Sequence, residues 1–201
     1  MLNLFNKNQT AIYSSSDQDL YQYTVYVGKH TIETSKRASY WYLQDDLVGC
    51  KTGNGEPLTV DTFCVEIWGY TPETRVSTFG RGTDLPYVNG CSTKQIIPPV
   101  RPGDPTLQML LIPSHTSEQL HHIHSTPRVV YVAKGKGYSI IGTSANSASY
   151  DLNEGDVLIL DKMVPHHFET HSEPLVVLPV HIFSSTTLEH DHPMFNGTHK
   201  V

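Results

Sequence analysis

Paired cysteines are missing from this sequence. Its three thiols, Cys50, Cys64 and Cys91, are odd in number, widely spaced and form no CxxC. That pattern excludes a disulfide framework and predicts reduced thiols in a cytoplasmic compartment. Long apolar runs are missing too: no stretch approaches the roughly 18 residues that a membrane span needs. The first residues, MLNLFNKNQTAIYSSSDQD, have no charged leader followed by a long apolar run, so no secretory signal is expected there. The Asn-x-Thr triplets at Asn8 and Asn196 are then expected to stay unmodified. Positive charge is scarce, with 14 Lys plus Arg against 20 Asp plus Glu and a formal net charge of −6. With no basic stripe interleaved with aromatics, nucleic acid is not an expected partner. No internal repeat is evident.

What remains is an ordinary folded composition, 38% hydrophobic and 17% charged, over 201 residues. That is too apolar for a disordered chain and long enough for one well-buried domain, alone or with a substantial extension.

Histidine is the residue in excess, with 12 copies. At that frequency about 0.7 HxH triplets are expected by chance, so the spacing needs structural context before it carries meaning. Two triplets occur, His122-Ile123-His124 and His190-Asp191-His192. The second lies in a polar tail and is expected to be solvated.

The order of elements reads as all-β. DLYQYTVYVG (19–28) and PLTVDTFCVEIWGY (57–70) are rich in Tyr, Val, Thr, Phe and Ile, as strands are. SKRASYWYLQDDL (35–47) fits a short helix or a strand. From 80 to 105 Gly and Pro accumulate, ending in IIPPVRPGDP, which predicts a connector. From Leu107 onward LQMLLI, EQLHHIH, RVVYVA, YSIIGT, DVLIL, HHFETH and LVVLPVHIF form short β-type runs. Turn signals separate them, among them Ser125-Thr126-Pro127, Gly135-Lys136-Gly137 and Asn153-Glu154-Gly155-Asp156. Such spacing predicts an antiparallel sandwich or barrel and excludes a helical bundle.

On a strand, His122 and His124 share a face while His121 and Ile123 face away. Two imidazoles so placed can reach one ion if a third ligand comes from elsewhere. GDVLILDKMVPHHFETH offers His166 at the end of a strand and turn.

On these residues the segment from about 107 to 183 resembles a cupin. That family's first motif, G(x)5HxH(x)3–4E(x)6G, fits as His122-x-His124, then Arg128 in the glutamate position, then Gly135; Thr116 replaces the leading glycine. The second, G(x)5PxG(x)2H(x)3N, fits at Gly155 and His166, with Asp161, Met163 and Thr170 at the other fixed positions. The resemblance implies a jelly-roll (double-stranded β-helix) barrel over 106–185, preceded by a β-rich extension and connector over 1–105 and followed by a tail over 186–201. It also implies one divalent metal held by His122, His124 and His166.

Arginine has no lone pair to give, so Arg128 cannot replace the glutamate as a ligand. The three-histidine set that is left resembles that of non-haem iron dioxygenases. The expectation is therefore a cupin dioxygenase using Fe(II), acting on a small anionic substrate whose carboxylate Arg128 grips as a fork. Zn, Ni or Mn in a non-oxidative isomerase or lyase, and a binding cupin without chemistry, are the alternatives. Arg128 could instead lie at the barrel rim, paired with Glu118 or Asp161. A homodimer through an open sheet edge is also expected.

Other candidates read as structural. Tyr131 faces away from Arg128, Val130 and Val132 and is expected to pack. His121 and His167 neighbour proposed ligands and should face outward. His181 is either a satisfied core histidine or an acid–base group beside the site. Cys91 is read as structural.

Overall fold

The computed structural model describes residues 3–16, 21–80 and 85–183. The tail from 186 onward, with His190 and His192, lies outside the described residues. Among the described residues seventeen strands account for the architecture. In the first half they are β1 (Asn3–Phe5), β2 (Ala11–Ser14), β3 (Tyr23–Val27), β4 (His30–Ile32), β5 (Ala38–Gln44), β6 (Leu47–Thr52), β7 (Leu58–Val60), β8 (Phe63–Trp68) and β9 (Arg75–Thr78). Next come β10 (Leu85–Pro86), β11 (Ser92–Ile97), β12 (Thr106–Ile112), β13 (Arg128–Thr143) and β14 (Asn146–Asn153). Last are β15 (Val157–Leu160), β16 (His166–Glu169) and β17 (Leu175–His181). No α-helix occurs among the described residues, and none is long and apolar enough to cross a membrane. The ambiguous SKRASYWYLQDDL settles as strand β5, because the β-formers of ASYWYL pair on both sides, with β6 and β8.

A six-stranded antiparallel sheet, β2-β3-β8-β5-β6-β9, packs on a larger sheet of order β1-β15-β13-β17-β12-β11-β10. The larger sheet is buried on both faces, which is why its strands read as near-continuous apolar runs. Along β13, Val129 and Tyr131 join the core between the two sheets, while Val130 and Val132 join the barrel interior. Along β15 the same alternation sends Val157 and Ile159 one way and Leu158 and Leu160 the other. Tyr131 stacks on Phe63 of the six-stranded sheet, with ring centroids 5.6 Å apart. Its expected packing role is what the structure displays.

The N-terminal half therefore both covers and extends the barrel. β1 pairs with β15, and β11, inside the Pro/Gly-rich stretch expected as a connector, pairs with β12. The prolines of IIPPVRPGDP begin one residue after β11 ends.

Gly135-Lys136-Gly137 was expected to be a turn, yet β13 runs through it for 16 residues. The strand begins in the large sheet beside β15 and β17 and finishes in the opposite wall beside β14 and β16. Glycine is what lets it turn this corner. Gly135 has φ +81°, and a side chain there would collide with the Pro174 carbonyl. A side chain at Gly137 would meet the Glu169 carbonyl at 2.7 Å.

Candidate metal centre

EQLHHIH, expected as a strand, is instead an irregular segment pinned to the barrel at isolated bridges, Ser117 to Glu169 and His122 to His166. The Nδ1–H of His122 donates to the Leu120 carbonyl at 3.0 Å, a local bond that competes with a regular ladder. The segment is held by His122 N–H to His166 O (3.1 Å), His166 N–H to His122 O (2.9 Å) and Met163 N–H to His124 O (2.7 Å). These bonds deliver His122 and His124 to His166 without the strand alternation invoked for them.

The three rings converge. One nitrogen of each of His122, His124 and His166 lies within 4.8 Å of the others. Ring centroids are 4.6 Å apart for His122 and His166, 4.7 Å for His122 and His124, and 5.1 Å for His124 and His166. Backbone carbonyls set the tautomers. His166 donates from Nδ1 to Val164 O at 2.8 Å, as His122 does to Leu120, so both turn an Nε2 lone pair inward. The Nε2 atoms of His122 and His124 are 3.0 Å apart, close to the roughly 3 Å between neighbouring ligands about 2.1 Å from one ion. Burial, opposed by the Val164 bond and aided by His122, His124 and Arg128, pushes the His166 pKa down to about 3. A neutral imidazole with a directed lone pair fits a divalent metal, so the donor set suits the ion the motifs imply. The Gln119 amide Nε2 lies 2.6 Å from His122 Nε2.

Arg128 is buried, only 3% exposed, so it does not sit at the rim. Its Nη1 donates to the carbonyl of Thr126 at 3.1 Å and to the Thr126 hydroxyl. Register places it beside His181 of β17 and Leu160 of β15 on the wall of the large sheet. His166 belongs to β16 in the opposite wall. A cavity of about 40 Å³ between the walls is lined by the three histidines, Arg128 and His181. Leu110, Val130, Leu160, Phe168 and Val177 supply apolar lining.

Two further lining residues were missed as site groups. Gln108 of β12 is fully buried, and Glu118 is 5% exposed. Burial pushes the Glu118 carboxyl up to about 7, against the opposing pull of Phe168 backbone and Tyr87 hydroxyl hydrogen bonds. The available signal was the single polar residue within the apolar run LQMLLI, which forces a buried amide.

His121 and His167, expected outward, meet each other behind the site with Nδ1 atoms 2.8 Å apart. His121 Nε2 donates to Gly142 O, and His167 Nε2 to Glu169 at 2.9 Å. Cys91 is buried, and burial raises its thiol pKa to about 11, leaving it unreactive at neutral pH.

An all-β barrel in which three imidazoles converge so that they could hold a metal ion defines the class of fold and site. Residues 108–181 match the family model described as Cupin domain, and the barrel belongs to the cupin superfamily. The fold is similar to that of an IolB-like protein from Salmonella typhimurium (TM-score 0.62, 12% identity, covering 96% of this chain and 98% of that one). It is also similar to a Lactobacillus farciminis oxalate decarboxylase in complex with formate (TM-score 0.55, 11% identity, 93% and 88% covered). A third likeness is to the Bacillus subtilis oxalate decarboxylase, whose Mn(II) centres have been characterised (TM-score 0.52, 11% identity, 92% and 78% covered). No curated protein matches the chain by sequence.

Proposed function

We propose that this protein is a metal-dependent cupin enzyme that binds one divalent ion at His122, His124 and His166 and acts on a small carboxylate held by Arg128. The carrying observation is the pair of opposed walls. Imidazoles oriented by backbone carbonyls lie on one side, and a buried guanidinium lies on the other, across a cavity of about 40 Å³. A dication and an arginine facing each other with no carboxylate ligand between them leave net positive charge in an apolar enclosure, which an anionic substrate neutralises.

The proposed reaction is that of a non-haem iron dioxygenase. A bound Fe(II) supplies the redox chemistry that lets dioxygen react with an organic substrate, and three histidines leave room for both. The chain's own residues do the rest. Backbone carbonyls of Leu120 and Val164 orient two imidazoles. Arg128 fixes the carboxylate end, itself held by Thr126. Leu110, Val130, Leu160 and Phe168 keep bulk water from the reacting end.

A second reading, Lewis-acid chemistry on Zn, Ni or Mn, is favoured by one observation. Glu118 is a buried carboxyl near neutrality in the same cavity, suited to moving protons without oxygen. The experiment is elemental analysis of protein purified anaerobically, followed by oxygen uptake with thiols, diketones and hydroxy acids. Near-stoichiometric iron with substrate-dependent oxygen uptake is the expected result. Bound Zn, Ni or Mn with turnover in the absence of oxygen selects the second reading, and no retained metal after reconstitution overturns both.

A further inference from the structure

We infer that the substrate carries an alcohol hydroxyl beside its carboxylate, and that Gln108 and Glu118 receive that hydroxyl; this rests on the reading of the site as a metal-dependent pocket for a small acid. Three buried polar atoms on residues that line the cavity have no hydrogen-bond partner among the described residues: Nε2 and Oε1 of Gln108, and Oε2 of Glu118. Both side chains are more than nine-tenths buried and line the same cavity as Arg128 and the three histidines. Folding leaves such atoms unpaired only at a cost, which a ligand recovers when it supplies the missing bonds.

The chemistry of the three atoms limits what can supply them. An amide presents a donor and an acceptor, and a carboxyl oxygen accepts when ionised and donates when protonated. A hydroxyl both donates and accepts, so it can take an N–H from Gln108 while giving its proton to Glu118. A second carboxylate would only accept and would face Glu118 with like charge. A methyl group would satisfy none of the three. The Glu118 carboxyl, pushed up to about 7 by burial, is available in both protonation states near neutrality.

Register separates the two recognition points along the large-sheet wall. Arg128 pairs across to His181, and the neighbouring inward row holds Val130 opposite Pro179. Gln108 follows Thr106 by two residues on β12, and Thr106 pairs with His181. The two positions are therefore offset by two residues along the strands, roughly 6–7 Å, and by two strands across the sheet, roughly 10 Å, with β17 between them, so they meet only through the side chains that line the cavity. The cavity, about 40 Å³, is small, and the class that fits is a small hydroxy acid.

The test measures dissociation constants of matched acids for the metal-reconstituted full chain, by calorimetry and by thermal shift. The pairs are glycolate with acetate and lactate with propionate, each differing by one hydroxyl. Tighter binding of each hydroxy acid, by roughly tenfold or more, is expected in the wild type. Gln108→Leu and Glu118→Leu should bring the members of each pair close together. Gln108→Leu should leave the ligand-free melting temperature unchanged or raised, since an apolar side chain of similar size removes two unpaired polar atoms, whereas a merely structural role for Gln108 would lower it; Glu118→Leu, which also takes a partner from Tyr87, is read by the affinity pairs.

Equal affinity within each pair, or no binding of any of the four acids to metal-loaded protein, overturns the inference. Failure of the wild type to load metal overturns the site reading on which it rests. If a variant fails to fold, the wild-type comparison of matched acids decides by itself.

Discussion

Two buried glutamates, one in each half of the molecule, differ in how completely they are served. Glu66 of β8 accepts hydrogen bonds from Tyr40 at 2.7 Å and Tyr26 at 3.0 Å, one on each carboxylate oxygen. Tyr40 in turn accepts from the Ser35 N–H at 2.9 Å, tying a loop to the same network. Glu118 is equally buried, at 5% exposure, but its carboxyl has only the Phe168 backbone and the Tyr87 hydroxyl, the latter 3.5 Å from Oε1, and Oε2 has no hydrogen-bond partner among the described residues. A closed network fixes a sheet, whereas an open carboxyl beside convergent imidazoles is held ready for something that arrives. The N-terminal half spends its polar groups on holding a layer in place, and the barrel keeps some for a ligand.

The largest effect that would break this comparison lies on the barrel side. His166→Ala removes the ligand contributed by the opposite wall, and bound metal, measured by elemental analysis, should fall from near-stoichiometric to a small residue. The fold should survive, because the His122 to His166 bridge is made by backbone atoms. On the other side, Phe63→Ala empties the stack under Tyr131 and should cost about 3–5 kcal/mol in urea unfolding.

Glu66→Ala sharpens the comparison by leaving two phenols unpaired, at about 2–4 kcal/mol. Its metal content should be unchanged. A loss of metal from Glu66→Ala with unchanged stability would show that the two halves do not divide their labour in this way.

The pH dependence of stability gives a further contrast. Glu118 has a folded pKa near 7, above its unfolded value. Between roughly 4.5 and 7 the folded state therefore keeps a proton that the unfolded chain has lost. Stability from this group is full below that window and falls as pH rises through it, by about 3 kcal/mol in all. Glu118→Gln lacks this decline. Compared with wild type in chelator, it should gain about that amount between pH 4.5 and 8, and parallel stability curves would refute the assignment. The smallest expected effect is that of Tyr131→Phe, under about 1 kcal/mol and without change in metal content, because the ring packs between sheets and away from the cavity.

The barrel was legible because its inward and outward residues alternate within apolar runs bounded by Gly and Pro, and because His122, His124 and His166 fall at fixed spacings from Gly135 and Gly155. The first half was less legible, since a strand such as ASYWYL carries the same composition as a buried helix until its partners β6 and β8 are known. β11 hid among prolines for a similar reason. Pairing with β12, and not local preference, makes STKQII a strand.

What the sequence determined by itself was chemistry tied to short spacings: an all-β chain, three imidazoles able to meet, and an arginine that cannot ligate. Tertiary structure alone decided the rest. It bent β13 through Gly135 and Gly137 so that one strand serves both walls. It also turned HHIH into a pinned loop, buried Arg128, and brought Gln108 and Glu118, separated by an irregular segment, to one cavity. Those outcomes depend on which strands become neighbours and in what register, a property of the whole barrel that no run of adjacent residues encodes.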